Sequence, residues 1–319
     1  MELQTKALYN TLFFHFQEDP SLPYKKWQVE DLREIKTEDL WKRLKGLKQE
    51  TFLTYAEEVD TPEELANLLY GEVEDFDQNY LLVFELWRRL FPQKTTLSIF
   101  CDELDRKIFL YEKGELKNDE GIQDSLSYLL VILGELTDKG LTPKEAIITI
   151  APFIAHDLEE FLYDYITDQI QARNITYAAE LWEGFYPFFM NDDFVFLKAH
   201  ILSFSDSEEE EKLLFYLIQK QKEKIDLDLS LRILAYLAHA SDKSLFLDLL
   251  KILLPHLETE EDLSEVLDST YTYYERLDLE DMQKAIQKIM DKRKKVNLES
   301  KIQKENPVLK EFIQFIFPM

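Results

Sequence analysis

The chain has 319 residues, of which 45% are hydrophobic, and 63 acidic against 37 basic residues give it a formal net charge of −26. Its length and hydrophobic content are sufficient for one large or two ordinary folded domains, which excludes a disordered chain. Its negative charge would repel phosphate backbones over most of the surface, which excludes nucleic acid as the expected partner.

Glycine is scarce, and this scarcity predicts an all-helical protein. Only seven glycines occur, and none follows Gly184. Strand pairs, tight hairpins and phosphate-binding loops need the positive φ that glycine adopts most easily. The motifs Gly-x-x-x-x-Gly-Lys, Gly-x-Gly-x-x-Gly and Gly-x-Ser-x-Gly do not occur. We therefore expect an all-α fold and disfavour most nucleotide-dependent enzymes.

The compartment is predicted from cysteine usage and hydropathy. The single cysteine, Cys101, cannot form an intramolecular disulfide, which is typical of a reducing compartment. The longest uncharged apolar stretch, residues 146–155, is about half as long as a helix that spans a bilayer. The first residues do not have the pattern of a signal peptide. We therefore expect a cytoplasmic protein without membrane insertion.

Capping signals and apolar residues at helical spacing place the elements along the chain. Residues 61–64 (Thr-Pro-Glu-Glu) and 142–145 (Thr-Pro-Lys-Glu) each combine a capping hydroxyl, a first-turn proline and an acid three residues later. Because some neighbouring short spans are expected to join, we predict about twelve to fourteen helices. In chain order the predicted spans are 2–17, 37–45, 62–70, 75–90, 96–112, 120–138, 143–150, 153–171, 175–189, 192–203, 207–223, 227–239, 242–256, 260–276, 279–295 and 307–317.

A joint between two regions is predicted at residues 114–121. Gly114 and Gly121 flank a polar stretch there, and glycine beside polar residues marks a loop. The joint would separate an N-terminal helical region, residues 1–114, from a C-terminal helical-repeat region, residues 121–319. One continuous superhelix would have the same pattern, because repeat arrays make only local contacts. One domain and two domains therefore both stay open.

The second half of the chain has a repetitive pattern. Helix starts near 207, 227, 242, 260 and 279 place helix pairs about every 35 residues, which is typical of stacked helical hairpins. Within residues 175–240, a helix that ends at Tyr186-Pro187 is followed by a short Asn-Asp-Asp turn, and the next helix opens with Phe-Val-Phe-Leu. This arrangement resembles the tetratricopeptide repeat family.

The resemblance implies an α-solenoid, a superhelix of stacked antiparallel helical hairpins. Its concave surface would bind an extended peptide or a helix of another protein. Cytosolic chaperones of bacterial secretion systems have a similar acidic, tetratricopeptide-like arrangement. The chain departs from the family in its small residues, because it has only 14 alanines. Its bulky side chains would hold the helices further apart.

Aromatic residues supply the candidate binding site. Tyr271, Tyr273 and Tyr274 lie close together in the predicted helix 260–276, and tyrosine is enriched at protein interfaces. Trp182 and Tyr186 belong to the tetratricopeptide-like segment. The alternative role for these side chains is to cover the seams between helices. We expect a non-enzymatic scaffold, adaptor or chaperone that binds a basic or amphipathic segment of another protein in an acidic, aromatic-lined groove.

Residues 284–310 are an exception to the acidic character of the chain. They contain nine basic and three acidic residues. One interpretation is a solvated helix whose basic end complements its own dipole. The other is a basic arm that docks on an acidic partner or on an acidic face of the same protein. The oligomeric state is not predicted.

The sequence predicts no catalytic residue, no metal site and no cofactor. None of the five histidines follows a glutamate by three residues, and His-Glu-x-x-His does not occur. His156 with Asp157, Glu159 and Glu160 is the densest combination of polar groups. It leaves open an all-helical enzyme with a carboxylate and His156 site, beside the plainer reading of a partly buried histidine. Acidic neighbours are expected to raise the pKa of the Cys101 thiol. A third possibility is an acidic surface that imitates nucleic acid.

Overall fold

The structure is a computed structural model that describes residues 5–44, 47–69, 76–116, 120–240, 243–302 and 306–317. Within these ranges the chain forms seventeen α-helices and no β-strand. One isolated antiparallel bridge joins Thr259 to Lys301. The prediction of an all-α fold is therefore confirmed. Among the described residues, no helix has both the length and the apolar character needed to cross a membrane.

The chain divides into two compact units. The first contains residues 1–164 and 187–189, and the second contains residues 165–186 and 190–319. This division does not coincide with the predicted joint at 114–121, of which residues 117–119 lie outside the described part. Across that joint, the ammonium group of Lys107 donates to the carbonyl oxygen of Gly121 at 2.8 Å and to the hydroxyl of Ser125 at 2.7 Å. These bonds hold the helices on either side of the joint together in the first unit.

The first unit is built around a helix that is buried along most of its length. Every residue from 80 to 87 is buried, and Trp87 and Phe84 are completely enclosed. The helices are α1 (Lys6–Glu18), α2 (Thr37–Arg43), α3 (Gln49–Glu57), α4 (Pro62–Leu68), α5 (Phe76–Leu90), α6 (Leu97–Glu112), α7 (Glu120–Asp138), α8 (Pro143–Ile150) and α9 (Leu158–Gln171), with the boundary between the units inside α9. The central helix is α5, and α2, α4 and a short 3-10 helix at Leu32–Glu34 pack on it, while α1 and α7 pack on α6.

Both predicted capping boxes are present. At the start of α8, the Thr142 hydroxyl accepts from the Glu145 amide at 3.3 Å, and the Glu145 carboxylate accepts from the Thr142 amide at 2.8 Å. The box at the start of α4 is built in the same way. Helix α3 was not predicted, because Lys48 precedes it and provides no side-chain cap. Helix α9 begins five residues later than predicted, because the Asp157 carboxylate caps it by accepting from the amides at 159 and 160.

In the second unit, helices pack on their neighbours in the chain and also on the next helix but one. The helices are α10 (Ile175–Phe185), α11 (Asp192–Leu202), α12 (Ser207–Glu223), α13 (Leu227–Ala240), α14 (Lys243–Leu253), α15 (Glu260–Arg276), α16 (Glu280–Arg293) and α17 (Pro307–Ile316). Thus α11 packs on α12 and α15 on α16, while α12 packs on α14 and α13 on α15. One continuous hydrophobic core, which includes Phe196, Phe246 and Phe312, runs from the α11 side chains to those of α17.

Candidate functional site

The predicted tyrosine cluster lies mainly in the core of the second unit. Tyr273 is completely buried and Tyr274 is 4% exposed, while Tyr271 is half-buried. The Tyr273 ring stacks on Phe246 with the ring centroids 4.0 Å apart. A partner cannot contact Tyr273 or Tyr274 unless α15 moves. The signal for this burial was present in the sequence, because these tyrosines continue the apolar spacing that begins at Leu263 on α15.

The other predicted binding residues, Trp182 and Tyr186, form a partly exposed aromatic platform. Their rings stack with centroids 4.5 Å apart and an interplanar angle of 21°. The indole N–H of Trp182 donates to the carbonyl oxygen of Phe194 at 2.6 Å, and the Lys198 ammonium lies 4.3 Å from the centroid of the indole ring. Because these contacts hold both rings in place, a partner could bind them with little loss of side-chain entropy. We call Trp182 and Tyr186 the aromatic platform.

The turn between α10 and α11 is structural, as its sequence suggests. The Asn191 carboxamide oxygen accepts from the amide of Phe194 at 2.9 Å, which caps α11. Asp192 pairs with Lys220 of α12 at 2.7 Å, and Asp193 pairs with Arg232 of α13 at 2.5 Å. The two acids therefore fasten α11 to its neighbouring helices.

A strip of acidic side chains lies on the exposed side of α15. Glu261, Glu265, Asp268 and Glu275 are all exposed and recur at helical spacing. None of the four forms a salt bridge with another described residue. Burial raises the pKa of Glu265, and nearby carboxylates, including that of Asp228 on α13, raise it further. We call these four residues of α15 the acidic face.

The acidic face was not singled out by sequence reasoning, although its spacing is visible in the sequence. Many other acids in the chain have the same local pattern, so the pattern by itself does not mark a site. What distinguishes this face is the crowding of carboxylates around Glu265, because the charges of Asp262, Glu261, Asp228 and Asp268 all raise its pKa. That property depends on which helices are neighbours, so it appears only in the folded chain.

His156 lies outside the predicted combination with Glu159 and Glu160. It precedes α9, and its Nδ1 is 2.9 Å from the Oδ1 atom of Asp105 in α6. The buried Asp105 carboxylate also accepts from the backbone amides of Ala155 at 2.9 Å and His156 at 3.2 Å. When the imidazole is neutral, this contact fixes the proton on Nδ1 and leaves Nε2 as its basic nitrogen. Nε2 is 3.7 Å from a carboxylate oxygen of Glu112.

A second buried carboxylate joins α1 to α6. Asp102 is 2% exposed and accepts from the Asn10 carboxamide at 3.1 Å and from Arg33 at 2.6 Å, and it pairs with Lys6 at 3.1 Å. Burial alone would raise the pKa of Asp102, but the charges of Lys6 and Arg33 lower it below its ordinary value. A cavity of about 40 Å³ lies beside this group, with Tyr9 in its wall. Because the buried carboxylate is paired with two cations from other segments, its role is to join α1 and the segment around Arg33 to α6.

The described residues offer little for metal or thiol chemistry. No group of three or more His, Cys, Asp or Glu side chains in the described ranges is placed to hold a metal ion. Cys101 is completely buried. Burial raises the pKa of its thiol well above the ordinary value, and the charges of Asp105 and Asp102 raise it further. The predicted direction of this shift is therefore correct, with burial as its largest cause.

Comparison with known proteins finds no match: no family model fits the chain, and no curated protein or solved structure is significantly similar to it. The resemblance of residues 175–240 to tetratricopeptide repeats therefore has no support from a relative.

Proposed function

We propose that this chain is a non-enzymatic interaction protein, of the scaffold, adaptor or chaperone kind, whose second unit binds a basic segment of a partner protein. The acidic face carries this proposal. Four exposed carboxylates without basic partners among the described residues repel one another, and a basic segment would relieve that repulsion. The field of the whole chain, with its net charge of −26, would also steer a basic partner toward the protein.

The aromatic platform supports the same proposal. Trp182 and Tyr186 are of the residue types that dominate binding energy at interfaces, and they are already held in one arrangement. We propose that the aromatic platform contacts apolar residues of the partner, while the acidic face contacts its basic residues. Charge then governs the rate of association, and aromatic burial governs the lifetime of the complex.

The packing of alternate helices supports the stacked-hairpin architecture that we propose for the second unit. In a tetratricopeptide-like superhelix, each helix packs on its partner in the hairpin and on the equivalent helix of the next hairpin. The contacts of α12 with α14 and of α13 with α15 follow this rule. Such an array is rigid and presents an extended surface, which suits peptide or helix binding.

The experiment compares the proteins that three forms of the full chain capture from native cytosol. The first is wild type, and the second has its acidic face neutralised by Glu261→Gln, Glu265→Gln, Asp268→Asn and Glu275→Gln. The third is a control with the same loss of charge, made by substituting exposed acids of the first unit: Glu50→Gln, Glu57→Gln, Glu58→Gln and Asp138→Asn.

We expect wild type and control to capture the same protein, measured by quantitative mass spectrometry, and the neutralised form to lose it. The interaction should also weaken as salt rises, because exposed charges are screened. Identical capture by all three forms would refute the role of the acidic face. Circular dichroism would show that each form is folded.

A further inference from the structure

The imidazole of His156, in the segment that precedes α9, lies between two carboxylates of α6. Its Nδ1 is 2.9 Å from Oδ1 of Asp105, and its Nε2 is 3.7 Å from a carboxylate oxygen of Glu112. The two acids are about two helical turns apart, so the ring joins the segment before α9 to two levels of α6. We call His156, Asp105 and Glu112 the histidine clasp.

The ring is fixed on its Asp105 side. The buried Asp105 carboxylate accepts from the backbone amides of Ala155 and His156 as well as facing Nδ1. It also accepts from the Asn10 carboxamide of α1 at 3.0 Å. Phe14 of α1 packs on the imidazole with the ring centroids 4.6 Å apart. None of these contacts involves Nε2, so the ring keeps its position when that nitrogen gains or loses a proton.

The Glu112 side of the clasp can move. Glu112 is the last residue of α6, and its side chain is half exposed. The distance of 3.7 Å between Nε2 and the carboxylate oxygen slightly exceeds a hydrogen bond. A small rotation of the Glu112 side chain therefore makes or breaks this bond.

Protonation of the ring changes the sign of the contact between Nε2 and Glu112. When the imidazole is neutral, its proton is on Nδ1, and the lone pair of Nε2 faces a carboxylate, so two acceptors repel each other. In the imidazolium both nitrogens donate, and the same contact becomes a charge-assisted hydrogen bond. Histidine is the residue type that ordinarily changes its charge between about pH 5 and 8.

The charges around Glu112 favour a cation at this position. Burial raises the pKa of Glu112, and the charge of His156 opposes this shift. Three further carboxylates raise the pKa, those of Glu160 and Asp164 in α9 and that of Glu18 in α1. An imidazolium at residue 156 would relieve the repulsion among these acids, which come from all three helices around the clasp.

The basic side chains of α6 near the clasp contact other groups. Arg106 and Lys113 lie over the Phe109 ring, 5.8 and 5.7 Å from its centroid, and Arg106 also pairs with Asp31 at 3.4 Å. His15 of α1 is exposed to solvent. The change of charge that acts on Glu112 near neutral pH is therefore that of His156.

We propose that the histidine clasp is a proton-operated device that regulates how firmly the start of α9 is held on α6. Below neutral pH the imidazolium bonds to Asp105 and Glu112 together. Above neutral pH the Glu112 side chain turns toward solvent, and Asp105 alone holds the segment. Because Asp157 caps α9, the first turn of α9 then opens more often. This proposal does not rest on the function proposed above.

The experiment measures amide hydrogen exchange of peptides that cover residues 153–162 of the full chain at about pH 6 and about pH 8, corrected for the intrinsic pH dependence of exchange. The amides of Ala155 and His156 report directly on the clasp, because both donate to Asp105. The test variants are Glu112→Gln, whose carboxamide can donate to a neutral Nε2, and His156→Gln, which cannot titrate. The controls remove a neighbouring charge, Glu115→Gln, or the other histidine of the first unit, His15→Gln.

We expect the peptides of wild type and of both controls to exchange about fivefold more slowly at the lower pH, the size expected for a half-exposed ionic contact. Glu112→Gln should exchange slowly at both pH values, and His156→Gln should show no difference between them. Because Glu112 is half exposed, its variant tests the clasp even if His156→Gln does not fold.

Three results would overturn the proposal. The first is equal corrected exchange of the wild-type peptides at the two pH values, and the second is slower exchange at the higher pH. The third is a wild-type pH difference that persists in Glu112→Gln or disappears in His15→Gln, because the titrating contact would then lie outside the clasp. Circular dichroism at both pH values would show that each form is folded.

Discussion

His200 of α11 is a buried imidazole whose titration the structure makes testable. Its ring lies between the aromatic rings of Phe196 and Tyr236, with centroids 4.4 and 4.2 Å away. Its Nε2 atom is buried and has no hydrogen-bond partner among the described residues. Burial lowers the pKa of His200 from 6.5 to about 4, because a charged imidazolium would lose its hydration there. The folded state therefore favours the neutral ring.

The sign of the effect on stability follows from this depressed pKa. Above about pH 6.5 the imidazole is neutral in both the folded and the unfolded chain, so His200 gives no pH dependence. Between pH 6.5 and 4 the unfolded chain binds a proton that the folded chain does not, so acidification favours unfolding. With these two pKa values, the loss between about pH 7.5 and about pH 5 is on the order of 2 kcal/mol in the free energy of unfolding.

The perturbation is His200→Phe, which keeps an aromatic ring between Phe196 and Tyr236 but removes the titrating group. The variant should lack about 2 kcal/mol of the wild-type loss of stability on acidification. Burial raises the pKa of the nearby Glu210, so this carboxyl group increases the free energy of unfolding as the pH falls. Its contribution is the same in both proteins and therefore cancels in the comparison. The exposed His239 offers the control, His239→Gln, which should behave as wild type.

The assay is amide hydrogen exchange of peptides from α11 to α13, corrected for the intrinsic pH dependence of exchange. It measures the stability of the second unit without requiring the whole chain to unfold in one step. Equal acid sensitivity in wild type and His200→Phe would refute the reasoning. So would an NMR titration of the His200 ring, in the folded protein, with a pKa near 6.5.

Three further outcomes are expected from the buried groups. Asp102→Ala leaves Lys6 and Arg33 without their shared carboxylate and should lower the free energy of unfolding in urea by about 3 to 5 kcal/mol; a loss below 1 kcal/mol would contradict the buried network. Tyr273→Ala should cost about 3 to 5 kcal/mol in the same measurement, because it opens a cavity beside Phe246, whereas a surface tyrosine would leave stability almost unchanged. Cys101 should resist alkylation by iodoacetamide in native protein and react once urea unfolds it; rapid native labelling would show that the thiol is accessible.

Features that depend on residues close together in the sequence could be predicted from it, whereas contacts between distant residues could not. The capping box at Thr142 involves residues three apart, so it was correctly predicted before the fold was known. The pairing of His156 with Asp105 joins residues that are 51 positions apart, and no local pattern indicates it. Helix α3 has no capping side chain, so it was missed. For Tyr273 two signals in the sequence disagreed. Its helical spacing from Leu263 predicts burial, whereas the enrichment of tyrosine at protein interfaces predicts an exposed binding residue.

The acidic face has one physical property that allows a loss of binding to be told from a loss of stability. The acidic face consists of exposed side chains on α15, whose opposite side is fixed in the core, so substitution there removes charge without removing core contacts. Surface substitutions of this kind usually change stability by less than about 0.5 kcal/mol. Loss of partner binding without loss of stability would therefore identify a true contact surface. Substitution of Tyr273 would reduce both together, because binding would fail only through unfolding of α15.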